Sequence, residues 1–355
     1  TRPVTTIADG MKGAGYRCFQ AGHMHWSEAT TDTGYEPLIS RQDWLDSLPR
    51  ESQERFNLEH DQTDIRIRMG GPCPRPEEEF FAPFVAQSTN QFLEEAVEQK
   101  TPFFAWASIF EPHPPFFPPA EVYRRFDPEA IELPPKPPSD APPPPNWLKK
   151  RRQRWEHLTE VEIRQMMRGY FGLVEVADRA VGSILQKLED LGVRENTWIL
   201  WTSDHGEQLF DHQIFLKFCM LEASVQVPLC IQGPGIEPST SPQLTSHIDL
   251  HPTLCEIAGI PIPTHLPGRS LLPEIQNPSL HGEEPEFVYS HIGSTQMIRG
   301  RGEKLVVREG EPTEFYQLEE DPDEFYNRLN HTTCRDRIQF LLQQLNMNFP
   351  GEFKN

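Results

Sequence analysis

Thr202-Ser203-Asp204-His205-Gly206-Glu207 follows directly on Thr197-Trp198-Ile199-Leu200-Trp201, a short apolar and β-branched run. Such a run suits a strand buried on both faces and is too short for a helix. Where it ends, an Asp, a His, a Gly and a Glu come in close succession. In an open α/β sheet, ligands bind just outside the carboxyl ends of the strands. An Asp beside a His at such a tip offers a cation one hard oxygen and one imidazole nitrogen. Lys217 lies 13 residues beyond Asp204, ahead of a second apolar strand, Val227-Pro228-Leu229-Cys230-Ile231. A carboxylate, an imidazole and an ammonium at strand ends suit the binding and cleavage of an anionic ester. Taken alone, Asp-His-Gly is equally the start of a loop, with Asp capping a helix and Gly making the turn.

Other predicted strand ends carry matching chemistry. Tyr16 to Ala21 reads as a strand that runs into Gly22-His23-Met24-His25. Side chains at i and i+2 of an extended chain point the same way, which suits two ligands or two donors to one substrate. Pro102 to Phe110 reads as a buried strand ending at Glu111-Pro112-His113-Pro114-Pro115. Prolines on both sides restrict the backbone around His113 and preorganise it. Each histidine stretch by itself is also consistent with an ordinary surface loop.

Helices are predicted between these strands. Thr6 caps one that runs to Lys12, with Ile7 and Met11 on one face and Gly13 and Gly15 closing it. Glu77 to Lys100 is a second. Val161 to Leu191 is a long third, with Val174, Ala177, Val181, Ile184 and Leu188 as its apolar stripe. Another begins near Ser246, with Asp249 as its cap and Pro252 in its first turn; His247, Asp249 and His251 read less well as ligands. Helix, strand and motif in alternation make an α/β fold. Ser27 to Gly71 is polar, lacks a sustained period and reads as a surface excursion. Pro134 to Pro145 reads as a polyproline flap, and Lys149 to Arg154 as a solvated helix start in preference to an anion site. From Glu286 the pattern changes to short strands with Gly turns: Phe287–Ser290, Gln296–Arg299, Glu303–Val307 and Glu314–Leu318. They predict a small antiparallel sheet, followed by a helix from about Cys334 to Leu345. The expected organisation is an α/β domain over 1–285 and a small α+β subdomain over 286–355.

Charge and composition narrow the function. The formal net charge of −20 over 355 residues argues against nucleic acid or an acidic membrane surface as a partner. An anionic substrate entering so acidic a chain needs a local positive site, which a metal ion can supply. Mean hydropathy is −0.58, and no apolar run reaches the roughly 20 residues of a membrane span. The six cysteines form no C-x-x-C pair, which disfavours a zinc ribbon or thioredoxin site. Cys18, Cys230 and Cys255 sit among apolar residues and read as buried thiols.

In this order, the stretches resemble the sulfatase family of alkaline-phosphatase-like hydrolases. Thr6 to Tyr16 with Gly22-His23-Met24-His25 is similar to the family's helix, strand and Gly-Lys-x-His loop. Phe110 to Pro115 resembles its second histidine loop, and Glu195 through Glu207 its most recognisable segment. Lys217 to Leu229 looks like its lysine segment. Lys304-Leu305 with Phe315-Tyr316-Gln317-Leu318 and Asp321-Pro322 resembles its C-terminal sheet. The resemblance implies an α/β sandwich with a large mixed sheet between helices, plus a small C-terminal antiparallel sheet with a helix. It also implies metal-dependent cleavage of a sulfate ester with one divalent cation, usually Ca2+, with Mg2+ or Mn2+ as alternatives. By position, Asp204 and His205 match the metal-binding pair. His25, His113 and Lys217 match the groups that hold the sulfate and assist the leaving group. His23 stands among the substrate-binding groups where Lys is usual. Asp-His in place of the more frequent Asp-Asn resembles the phosphonate-hydrolase-like and choline-sulfatase-like branches, so a phosphonate or phosphodiester substrate is the alternative. The family nucleophile, a Cys or Ser in Cys/Ser-x-Pro-x-Arg that sulfatases oxidise to formylglycine, is expected N-terminal to Thr6. Two further aspartate ligands are expected there too. Cys73-Pro74-Arg75-Pro76 and Ser47-Leu48-Pro49-Arg50 have the wrong spacing. The chain is therefore expected to lack its N-terminal part, and a member that only binds anionic ligands is a further alternative.

Overall fold

The computed structural model describes residues 6–25, 33–53, 70–278 and 285–349. The N-terminal Thr1 to Val4 and much of the predicted excursion, 26–32 and 54–69, lie outside the described residues. The chain divides into two compact units. One comprises Thr1–Glu132, Leu158–Trp198 and His251–Leu266; the other comprises Leu133–His157, Ile199–Leu250 and Pro267–Asn355.

In the first unit, helix α1 (Ile7–Gly13) opens with the predicted cap. Thr6 Oγ1 accepts from Asp9 N at 3.2 Å, and Asp9 Oδ2 accepts from Thr6 N at 2.7 Å. This reciprocal pairing satisfies two otherwise orphaned amides. Strand β1 (Arg17–Gly22) follows and forms the centre of a parallel sheet ordered β2-β1-β3, with β2 at Leu38–Ile39 and β3 at Phe103–Ser108. The register sets Gly22 opposite Ser108, so β1 and β3 end level with each other. Parallel neighbours need a crossover, which α3 (Phe81–Glu98) supplies by packing Phe92 on Phe19, with ring centroids 4.5 Å apart.

Two expectations are corrected in this unit. The stretch read as lacking regular structure contains helix α2 (Arg41–Ser47), opened by a Ser40–Asp43 capping box, and β2 before it. The long helix is present as α5 (Glu160–Asp190) and buries Leu188 as expected, but the rest of its buried stripe runs through Met166, Gly169, Leu173, Val176 and Ala180. Val174, the first residue of the expected stripe, is 40% exposed. Glycines explain the offset. A Cβ at Gly169 would lie 2.2 Å from Phe116 O, and one at Gly172 would lie 2.6 Å from Pro118 Cγ. The helix is therefore seated on the face where backbone can approach closely, and a hydropathy period does not score glycine as apolar.

In the second unit, β4 (Ile199–Thr202) pairs antiparallel with β5 (Leu229–Gln232). Trp201 faces Cys230 across the pair. Directly opposite residues share a face, and here both are exposed, Trp201 by 48%. β4 is thus not buried on both faces, and Cys230 is not a buried thiol; Cys18 and Cys255 are. The predicted C-terminal sheet is a four-stranded antiparallel meander: β6 (Val288–Ile292), β7 (Thr295–Arg299), β8 (Glu303–Arg308) and β9 (Glu311–Gln317). Helix α6 (Arg335–Asn348) lays Ile338, Leu341 and Leu345 against Ile298, Leu305 and Phe315. Met220, Met297 and Val306 form a separate buried cluster.

The side chain of Lys304 in β8 is fully enclosed. Its Nζ lies 2.9 Å from Glu222 Oε1 and is also paired with Glu324, whose other oxygen accepts from Glu222 N at 2.6 Å. Arg299 adds a second cation 3.0 Å from Glu222. Burial pushes the Glu324 carboxyl up to about 7, and Lys304 opposes that shift. A group whose pKa is raised by folding contributes stability that is complete below its unfolded value, near 4.5, and is lost as pH rises through about 7. Glu324→Gln should remove that dependence. The stability of the variant relative to wild type is expected to climb between pH 5 and about 7.5 in urea melts, and a flat difference would show that Glu324 does not titrate there.

Candidate active site

His23, His25 and His113 all lie in the first unit. The level ends of β1 and β3 place the loops that carry them. Gly22 has φ +111°, and a Cβ there would stand 1.9 Å from Ser108 O. Only glycine permits that approach. Ser108 then pins the next residue twice: its carbonyl accepts from His23 N at 3.1 Å, and its Oγ donates to His23 O at 2.6 Å. Gly22→Ala is accordingly expected to lower stability by more than about 1 kcal/mol, read as a fall in melting temperature. An unchanged melt would show that the two loops do not depend on this approach.

Two of the imidazoles, His23 and His113, pack on the Phe110 ring, and His25 packs on His23. His23 Nε2 and His25 Nε2 are 3.1 Å apart, with their rings perpendicular at a 4.6 Å centroid distance. Phe110 lies 4.8 Å from the His23 ring on one side and stacks on His113 at 4.4 Å on the other. His113 Nδ1 is 2.7 Å from Pro114 O. A carbonyl can only accept, so Nδ1 of His113 carries a proton. The peptides Glu111–Pro112 and Pro114–Pro115 are cis. Glu111 turns back to accept from Phe81 N at 3.1 Å, capping α3 from outside its own sequence. Burial pushes its carboxyl up, against the amides of α3 and Arg75. Arg41, at the start of α2, sits over Phe110 at 5.7 Å. Arg41 was not expected here, although Ser40-x-x-Asp43 is a legible cap signal that places a helix start at this residue.

Asp204, His205 and Lys217 lie in the second unit, beyond the end of β4. Asp204 Oδ1 accepts from His205 N at 3.0 Å, and its Oδ2 is 3.4 Å from His205 Nε2. His205 Nδ1 is 2.9 Å from Gly206 O. That bond puts a proton on Nδ1 and turns Nε2 toward the carboxylate. Tautomer control of this kind is typical of metal-ligating histidine. Asp204 is 84% exposed at its side chain, so the pair can donate one oxygen and one nitrogen outward. The donor set fits two positions of a divalent cation. Among the described residues no third His, Cys, Asp or Glu joins them. Gly206 again permits a close approach: a Cβ would lie 2.1 Å from Ala223 O.

Lys217 is half-enclosed. Burial pushes its ammonium pKa down, and the charges of Asp204 and Glu207 push it back up. Burial raises the Glu207 carboxyl in turn, opposed by the amides of Leu216 and Leu209 and by Lys217. The basic run within this unit, residues 149–154, is only in part the solvated helix start expected. Helix α4 (Asn146–Arg152) leaves Lys149 and Lys150 exposed, but Arg151 and Arg152 turn inward. Arg151 donates to Lys217 O at 2.5 Å, and Arg152 Nε donates to His212 O at 2.8 Å. No sequence signal marks a backbone carbonyl as an arginine's partner.

Residues 1–260 match the family described as Sulfatase, and residues 210–349 match the C-terminal region of N-sulphoglucosamine sulphohydrolase. Arylsulfatase K of Bos taurus is 27% identical over 355 residues, covering 91% of this chain and 63% of that protein. Arylsulfatase K of Rattus norvegicus is 35% identical over 185 residues, covering 48% and 33%. The chain thus spans less than two thirds of the length of these relatives. Among solved structures, the phosphonate monoester hydrolase of Silicibacter pomeroyi superposes with a TM-score of 0.78 at 19% identity, covering 100% of this chain and 81% of that one. A protein solved with its substrate D-glucosamine-2-N,6-O-disulfate gives 0.76 at 18%, covering 98% and 82%. These likenesses establish the alkaline-phosphatase-like α/β fold with its small antiparallel C-terminal sheet. The match over residues 1–260 does more: the chain belongs to the sulfatase family.

Proposed function

We propose that the chain serves a sulfuric ester hydrolase, with an anionic sulfate ester as substrate. The observation that carries this is the Asp204–His205 pair at the end of β4, its imidazole tautomer set by Gly206 O and its neighbour Lys217 half-enclosed. In this reading Asp204 and His205 hold a divalent cation, Ca2+ in the first instance. The imidazole nitrogen also suits Mn2+, and the carboxylate suits Mg2+. The chemistry such an ion supplies is neutralisation of the anionic ester and a lower pKa for a nucleophile. Lys217, His23 and His113 balance charge on the ester oxygens. His25 or His113 passes a proton to the leaving oxygen. For His113, the Nδ1 bond to Pro114 O would stabilise the charged ring while Nε2 carries the transferable proton. We further take residues 1–285 as the catalytic-type domain and 286–355 as its subdomain.

The test compares an aryl sulfate with a phosphonate monoester, each hydrolysed by the full-length protein with added calcium, with manganese and with chelator. Metal-dependent turnover that favours the sulfate by tenfold or more is expected. A preference for the phosphonate would transfer the chain to the other branch of the fold. Turnover indifferent to chelation would remove Asp204 and His205 from the metal.

A further inference from the structure

The segment between Glu207 and Cys219 is built in an unusual way. Six of its non-glycine residues have left-handed backbone: Leu209, Phe210, His212, Gln213, Leu216 and Phe218, with φ of 42°, 75°, 50°, 62°, 73° and 70°. Each such residue costs on the order of 1 kcal/mol or more. A loop with this composition does not hold that path by local preference, so the surrounding side chains have to impose it.

Three of them do so, at backbone atoms that lead up to Lys217 and at Lys217 itself. Glu207 Oε1 accepts from Leu209 N at 3.2 Å and from Leu216 N at 2.5 Å, joining the two ends of the loop through one oxygen. Arg151 donates from one nitrogen to Lys217 O at 2.5 Å and Phe215 O at 3.4 Å. Arg152 holds His212 O in the middle of the loop, and the His212 ring is buried against Phe325 at 5.2 Å. The backbone just before Lys217 and at Lys217 itself is therefore fixed by charged side chains. A guanidinium is suited to this because its donors are planar and its charge is permanent.

We propose that Arg151 is a positioning residue for Lys217, acting with Glu207 through the loop backbone and touching no substrate. The proposal rests on the reading that Lys217 holds the ester. Misplacing a catalytic group by about 1 Å can cost about 100-fold in rate, which is the scale open to such a clamp.

A double-mutant cycle tests it, using the full-length enzyme and an aryl sulfate. Arg151→Ala alone is expected to lower kcat/KM about 30- to 100-fold. In a Lys217→Ala background the same change should cost less than about threefold, because a residue acting only through Lys217 has nothing left to position. Added guanidinium should restore part of the activity of R151A and none of that of K217A. Multiplicative losses in the double variant, or R151A at wild-type rate, would overturn the proposal. If K217A itself retains wild-type turnover, the role given to Lys217 fails first, and the two failures are told apart by that single variant. Should R151A melt below the assay temperature, Arg151→Lys carries the same cycle, since it keeps the charge and loses the planar donor. Glu207 is read independently by amide exchange: Leu209 and Leu216 should exchange faster in Glu207→Ala and stay slow in Glu207→Gln, which retains the accepting oxygen. Equal exchange in both variants would remove Glu207 from the clamp.

Discussion

Lys217→Ala should lower kcat/KM on an aryl sulfate by about 100- to 1,000-fold, the usual cost of removing one donor that stabilises developing charge. The expectation follows from where the ammonium stands. Burial disfavours its charged form, while Asp204 and Glu207 favour it. A cation held in partial desolvation acts on an anion through a lower effective dielectric than a surface lysine does. Its backbone is fixed as well, so little reorganisation is needed when an ester binds. Inorganic sulfate, as a competing ligand, should bind K217A more weakly in parallel. Turnover within threefold of wild type would dismiss Lys217 from the reaction.

Lys304→Met should destabilise the second unit by about 3–5 kcal/mol, the range seen when one partner is taken from a buried ion pair. Lys304 is fully enclosed and faces two carboxylates, Glu222 and Glu324. Burial works against Glu222 ionising, yet Lys304 and Arg299 hold its pKa below the usual range. Without the ammonium, Arg299 remains as the described cation bonded to Glu222, and Glu324 loses its ion-pair partner. Adding Glu324→Gln to Lys304→Met should recover part of the loss, because the carboxyl stranded by the first change is then neutral. A urea midpoint unchanged by Lys304→Met would mean that the cluster is stabilised by something other than its charges.

The elements that position the candidate site residues were largely legible because they lie at ends of strands, where the apolar pattern breaks. β1, β3 and β4 appear close to where their apolar runs predict, and the histidines and Asp204 follow at their tips. The C-terminal meander and its helix were legible for the same reason, since alternation and Gly turns are local signals. What escaped depends on contacts between distant parts of the chain. The buried stripe of α5 is set by Gly169 accepting the Phe116 backbone and Gly172 the Pro118 ring. The inward turn of Arg151 and Arg152 is set by carbonyls that no side-chain pattern displays. Lys304 reads as the polar position of a strand, yet it is enclosed because its partners arrive from Glu222 and Glu324. Arg41 was missed although its cap was written in the sequence, because the polar stretch around it lacks an apolar period.

The pairing of Gly22 with Ser108 also limits how the chain can change in length. One residue inserted within β1 would advance its tip by roughly 3.3 Å and turn every later side chain to the opposite face. His23 would then leave the side on which Phe110 meets it, taking His25 with it, while His113, carried by β3, stayed where it was. A compensating insertion in β3 at the same level would be needed to bring them back. A scan of single-residue insertions should therefore show two coupled forbidden windows, 17–25 and 103–113. The proline-rich stretch 134–145, which pairs with no strand, should accept extra residues freely.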